Sequence, residues 1–259
     1  MSGKAGRKRV VKATLSVIFG IIFIVMLWIG LSMLFSAVPP IHYVTSCSMY
    51  PEYSRADVLL VLPIPPSAPI EEYDGLLSTS QPWVVSYGNE TVSLNASIST
   101  YCNNSAEQMC RNFYSNATGF SETNGPVTYE YANCNKNRND ARTEPCVSLA
   151  RVGNANFATT QKPQAIIYSG RVFSGATSVA VIHRAFFGVR DASGNVYFFT
   201  KGDANTLFDS QSKDFFSLNS AAAANASSVR GVVVAKIPLA GELLRNYRGI
   251  EDCQGGNTA

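Results

Sequence analysis

Histidine is almost missing: His42 and His183 are the only two in 259 residues. Chemistry that needs several imidazoles is therefore excluded, and no H-E-x-x-H run occurs. Cys102, Cys110, Cys134 and Cys146 have no C-x₂₋₄-C spacing and no neighbouring histidine, which argues against a metal centre; no metal or other cofactor is expected. Charge is scarce too, at 15% of residues. The formal balance is +3, but Lys4, Arg7, Lys8, Arg9 and Lys12 all precede position 13 and leave 16 basic against 18 acidic residues beyond it. Without a cationic face there is no counterion release to drive nucleic-acid binding, which is excluded. Gly170–Thr177 imitates a phosphate loop but lacks its lysine, and G-x-S-x-G is missing. No internal repeat and no long amphipathic helical period follow the N-terminal region, so the bulk of the chain is expected to be mainly β.

Charge vanishes altogether between Ala13 and His42, where Leu15 to Leu34 is almost continuously apolar. A bilayer-spanning helix needs about 20 such residues, because every backbone group must be satisfied within the segment. Ser36-Ala37-Val38 resembles the end of a cleaved secretory signal, but the apolar core exceeds the roughly 7 to 15 residues of such signals. The expectation is a permanent transmembrane helix over 13–38 in a lipid bilayer, with the basic tail 1–12 in the cytoplasm and the remainder outside. Asn89, Asn95, Asn103, Asn116 and Asn225 each open an Asn-x-Ser/Thr sequon, which agrees with a translocated surface. Cys102, Cys110, Cys134 and Cys146 read as two disulfides with three possible pairings. Cys47 and Cys253 are left over.

After the span, Val58–Leu62 reads as a short strand that ends in Pro63, Pro65, Pro66 and Pro69. From 66 to 163 the composition turns to Asn, Ser, Thr and Tyr, which predicts an inserted, disulfide-rich subdomain with little core of its own. Strand signals return at Ala165–Tyr168, Ser178–His183, Val196–Thr200 and Val229–Ile237. Ser193-Gly194-Asn195 favours a hairpin running from Phe187 to Phe199. Segments 39–65 and 164–259 together form the expected main domain.

Peptide hydrolysis by a side chain needs a nucleophile, a base within reach, a group to orient the base, and donors for the oxyanion. Thr45-Ser46-Cys47-Ser48-Met49-Tyr50-Pro51 begins a few residues beyond the apolar span, which would hold a reactive hydroxyl near the membrane surface. Ser46-Cys47-Ser48-Met49-Tyr50-Pro51 fits an S-x-S-M-x-P box, and Arg55-Ala56-Asp57 follows like R-G-D. Val181-Ile182-His183-Arg184, Thr200-Lys201-Gly202-Asp203-Ala204-Asn205 and Gly231 with Ile237-Pro238-Leu239-Ala240-Gly241 supply three more boxes. In this order after one N-terminal span, the set resembles signal peptidase I. His-Arg followed by T-K-G-D is similar to the archaeal and endoplasmic-reticulum branch, in which histidine replaces the bacterial lysine.

The resemblance implies a β-barrel or β-sheet catalytic core with one transmembrane helix. It implies Ser48 as nucleophile, His183 as base, Asp209 orienting the imidazole and Asp203 as a supporting acid, with the Ser46 hydroxyl and the Ser48 N–H as oxyanion donors. An imidazole titrates near pH 6.5, so it can take the serine proton and return it to the leaving amine. The implied activity is a membrane-bound serine endopeptidase that removes signal peptides from exported preproteins, at an archaeal-type cell membrane or the endoplasmic reticulum, with accessory subunits left open. Blander roles exist for single residues: Ser48 beside Pro51 suits a turn, His183 suits a buried strand, and Lys201 could act as an amine base. The alternatives for the whole chain are a catalytically silent anchored glycoprotein that binds through the insert, and a processing peptidase dedicated to one surface protein. The sequence departs from the family at Cys47, Ala56 and Ala185, and above all in the insert, so the resemblance covers about 10–65 and 165–245.

Overall fold

The computed structural model describes residues 15–30, 40–77, 81–103, 105–135, 143–171, 178–212, 224–237 and Cys253. The tail 1–12, both ends of the 13–38 segment, most of the phosphate-loop imitation and the Pro238–Gly241 part of the closing motif lie outside the described residues. Residues 15–30 form a helix, α1, with every side chain exposed. At about 1.5 Å per residue its described part reaches about 24 Å, short of a hydrocarbon core of about 30 Å. Among the described residues no helix is long and apolar enough to cross a membrane. The expected span over 13–38 is therefore not shown and returns below only as part of a proposal.

The rest is mainly β, arranged in two sheets. The larger contains β1 (Ile41–Tyr43), β2 (Val58–Leu62), β3 (Ile70–Glu72), β10 (Ala165–Arg171), β11 (Ser178–Arg190), β12 (Val196–Lys201), β13 (Ala224–Asn225) and β14 (Val229–Ile237). Its strands run β1-β2-β14-β10-β11-β12-β13, with β3 added parallel to β11. Pairing among the described residues does not close this path into a barrel. The strands are rich in Val, Ile and Phe, which pack well on a pleated surface. The β11–β12 hairpin sets Phe187 opposite Phe199, and a bulge between Ala185 and Phe187 shifts the register where the strand leaves the site.

The second sheet is built from β4 (Trp83–Tyr87), β5 (Glu90–Leu94), β6 (Phe120–Asn124), β7 (Val127–Asn135), β8 (Thr143–Val152) and β9 (Ala155–Ala158), in the order β5-β4-β6-β7-β8-β9. Two short helices, α2 (Ile98–Cys102) and α3 (Gln108–Ser115), lie between β5 and β6. The expectation of little core in this segment is corrected. Ile98, Phe113, Phe120, Val127, Tyr129 and Val147 are buried in a cluster that also takes in Phe186, Phe187, Phe199 and Phe208 of the larger sheet's side. The reason is alternation: in β7, Val127, Tyr129 and Tyr131 are buried while Thr128 and Glu130 are half-exposed. A polar average thus conceals one apolar face. Aromatic rings carry the shared core across the boundary, with Phe157 stacked on Phe187 at 4.4 Å and Phe208 beside Tyr129 at 5.4 Å.

A strained backbone position lies at the neck of the β1–β2 loop. Ala56 has φ +68° and is buried, and its N–H donates to the carbonyl of Val44 at 2.7 Å. An L-residue in this conformation costs about 1–2 kcal/mol, while glycine returns about 0.4–1 kcal/mol through a freer unfolded chain. Ala56→Gly is expected to raise the thermal midpoint of the protein slightly, and a lower midpoint would contradict this strain.

Candidate active site

Ser48 stands in the loop that joins β1 to β2, and its neighbours explain why it stays there. Met49 is 1% exposed and plugs a cluster formed by Val44, Leu59, Val61, Ala165, Ile167 and Val233. Fully burying such a side chain contributes about 1.5–3 kcal/mol, so this residue anchors the loop from below. The neck is closed by Val44 N–H donating to the Asp57 carbonyl at 2.9 Å. The Asp57 carboxylate, itself buried, accepts from Ser54 N–H at 2.7 Å and pairs with Lys236 at 2.6 Å. Cys47, directly before the serine, forms a disulfide with Cys253.

His183 lies in the middle of β11, 1% exposed, with its ring between Ser48 and Asp209. Its Nε2 is 3.0 Å from Ser48 Oγ and its Nδ1 is 2.6 Å from Asp209 Oδ2. Two hydroxyls donate to that same carboxylate oxygen, Tyr168 at 2.7 Å and Thr200 at 2.6 Å. A carboxylate can only accept, so Nδ1 carries a proton and Nε2 presents its lone pair to the serine hydroxyl. Burial, and then the charge of Asp209, push the Tyr168 hydroxyl well above its ordinary pKa, so it remains a donor. Ser46 Oγ sits 3.1 Å from Ser48 Oγ on the exposed side. The arrangement can take a proton from a hydroxyl, hold it on a carboxylate-backed imidazole and release it again.

Asp203 faces elsewhere. It receives both arms of the Arg184 guanidinium, at 2.6 and 2.9 Å, while Arg184 also donates to the Pro163 carbonyl at 2.7 Å. Of the two aspartates singled out in the sequence, Asp209 therefore meets His183, and Asp203 braces the loop after β12. That loop is tied to the serine loop, since Ala204 N–H donates to the Ser48 carbonyl at 2.8 Å. Lys201 is buried, which lowers its pKa against the pull of Asp203 and Asp209, and its amine donates to the Gly202 carbonyl at 3.3 Å. The nitrogen beside the serine hydroxyl is that of His183.

Gly202 is required by space. A Cβ there would lie 2.5 Å from the Ser48 carbonyl oxygen and 3.0 Å from both His183 Nε2 and Asn205 Nδ2. Gly202→Ala is expected to push the serine loop off the imidazole. A displacement of about 1 Å can cost about 10²-fold in the rate at which a hydroxyl so placed reacts, so labelling of Ser48 by a serine-directed fluorophosphonate should slow by that order with an unchanged far-ultraviolet circular dichroism spectrum. Wild-type labelling in this variant would show that the packing at Gly202 does not control the site.

The remaining expectations distribute as follows. Cys102 pairs with Cys110 and Cys134 with Cys146. Asn89, Asn95, Asn103 and Asn116 are exposed, whereas Asn225 is half-buried and accepts from Ser227 N–H at 2.8 Å. His42 lies in β1, away from the triad strand. Among the described residues no group of three or more His, Cys, Asp or Glu is placed to hold a metal ion. Sequence reasoning missed Tyr168 and Thr200 as partners of Asp209. Thr200 opens the T-K-G-D run, but nothing in the spacing of Tyr168 pointed to the site. No family model, curated protein or solved structure matches the chain.

Proposed function

We propose that the chain is a membrane-anchored serine endopeptidase of the signal peptidase I kind, using Ser48 as nucleophile, His183 as general base and Asp209 to orient the base. The observation that carries this reading is the continuous hydrogen-bonded line from Ser48 Oγ through His183 to Asp209, at 3.0 and 2.6 Å, between residues far apart in the chain. The order of the sequence boxes supports the resemblance to that family. The exposed apolar side chains all around α1 support an anchor in lipid, with the catalytic part outside the cytoplasm.

In the proposed reaction Ser48 attacks the scissile carbonyl as its proton moves to His183 Nε2, and the Asp209 carboxylate stabilises the imidazolium so formed. The Ser46 hydroxyl and the Ser48 N–H are the proposed donors to the tetrahedral oxyanion. His183 then protonates the leaving amine, and water, deprotonated by the same ring, hydrolyses the acyl-enzyme. The substrates would be exported preproteins, bound extended along a strand edge with small residues at the first and third positions before the cut.

The test is cleavage of a preprotein in detergent by the wild type, Ser48→Ala and His183→Ala. Cutting by the wild type and loss of it in both variants is the expected result, and retained activity in Ser48→Ala would remove the reading. A panel of several preproteins separates a general peptidase, which cuts most of them, from one dedicated to a single surface protein.

A further inference from the structure

The Asp209 carboxylate meets the larger sheet, but the other residues of the turn that carries it are gripped by the second sheet. Asp209–Gln211 is a single 3-10 turn, and all three of its residues are buried. Gln211 Oε1 accepts from Phe208 N–H at 2.9 Å, which closes the turn on itself. Its Nε2 donates to Glu122 Oε1 of β6 at 2.5 Å and to Tyr131 Oη of β7 at 2.9 Å. Glu122 is wholly buried and also accepts from the Tyr131 hydroxyl at 2.7 Å and, on its other oxygen, from Ile98 N–H of α2 at 2.8 Å. Ser97 Oγ donates to the Gln211 carbonyl at 2.7 Å, and Ser210 Oγ meets Tyr129 Oη at 2.7 Å. Val147 N–H of β8 binds the Thr206 carbonyl at 2.9 Å.

We infer that Glu122 is a positioning residue for the catalytic acid: through Gln211 it sets the turn that aims Asp209 at His183, so the inserted sheet is a working part of the active site. The inference rests on the proposed function of the triad. Every donor around Glu122 points at its carboxylate, and burial, which raises its pKa, is opposed by bonds from Ile98, Gln211 and Tyr131. An apolar residue would fill the same space but leave the Ile98, Tyr131 and Gln211 donors buried without an acceptor, so the carboxylate is what ties α2, β7 and the turn of Asp209 together.

The donor pattern makes the inference testable. In Glu122→Gln a carboxamide N–H must face either Ile98 N–H or the Gln211 amide, so two buried donors meet. In the exchange Glu122→Gln with Gln211→Glu, the new amide donates to the new carboxylate. Tyr131 then donates to the same carboxylate, and Ile98 and Phe208 keep their acceptors. Preprotein cleavage by the full chain in detergent is measured for both. Glu122→Gln is expected to lose up to about 100-fold in kcat with KM near that of the wild type, and the exchange to recover most of it. Val152→Ala, in the same core but paired with Val127 and Ala155 rather than with any member of the network, is expected to lower the melting point and leave kcat unchanged. Wild-type kcat in Glu122→Gln, no recovery in the exchange, or an equal kcat loss in Val152→Ala would overturn the inference. Should Glu122→Gln alone fail to fold, Tyr131→Phe decides, because that hydroxyl bonds both Glu122 and Gln211: a kcat loss supports positioning and a wild-type kcat overturns it. Failure of the protease reading itself is distinguishable, because the wild type would then not cut, or Ser48→Ala would cut as the wild type does.

Discussion

Ser48→Ala and His183→Ala are each expected to lower kcat by about 10⁶-fold, and the double variant by no more than either alone. The reason is that hydroxyl and imidazole act as one unit. Without Ser48 there is no covalent intermediate for His183 to assist, and without His183 the hydroxyl, 3.0 Å from Nε2 in the intact site, has no acceptor for its proton. The side chains also differ in structural weight. Ser48 is half-exposed and its loop is held by Met49 and by the Ala204 bond to its carbonyl, so Ser48→Ala should fold as the wild type does. His183 is buried against Asp209, and His183→Ala leaves that carboxylate with Tyr168 and Thr200 as donors. Single-turnover cleavage with excess enzyme checks both. Multiplying losses in the double variant would mean that the two groups act independently, which the geometry does not allow.

Asp209→Asn is expected to reduce kcat by up to about 10⁴-fold while the protein remains folded. The amide has two orientations. With its nitrogen toward the ring it would force the imidazole proton to Nε2, against Ser48, and abolish the base. With its oxygen toward the ring it keeps the tautomer but supplies no charge to hold the imidazolium. The Tyr168 and Thr200 hydroxyls, both donating to the oxygen that faces the ring at 2.7 and 2.6 Å, favour the second orientation. The triple variant Asp209→Asn with Tyr168→Phe and Thr200→Val should therefore be slower still. A rate near the wild type in Asp209→Asn would assign the carboxylate to packing alone. Asp203→Asn should act by a different route, by loosening the Arg184 fork, and should cost stability before it costs rate.

Several features were legible in the order of the residues because they depend on local pattern. The β14 strand covers Val229–Ile237 as its β-branched run required, and the Phe187–Phe199 pair follows from the Ser193-Gly194-Asn195 turn. The meeting of Ser48, His183 and Asp209 was legible through the boxes. Tyr168 was not, since its place beside Asp209 depends on β10 lying next to β11 with Ile166 opposite His183. The pairing of Cys47 with Cys253 was equally hidden, because the partners are 206 positions apart and composition says nothing about which distant thiols meet. The core of the second sheet was underestimated because Asn, Ser and Thr on the outer positions dilute an apolar face that period-two alternation nevertheless creates.

By itself the amino-acid order determined the β character, the apolar N-terminal segment, the hairpin, and the residue types able to attack, accept and orient. Those follow from steric preference, side-chain period and functional-group chemistry within a few residues. Only the tertiary structure decided that Asp203 is taken up by Arg184 instead of supporting the imidazole, that Gly202 must be bare, and that Glu122 reaches the turn bearing the acid. Each of those is a distance between groups that strand pairing and core packing bring together, and no pattern within a few residues sets it.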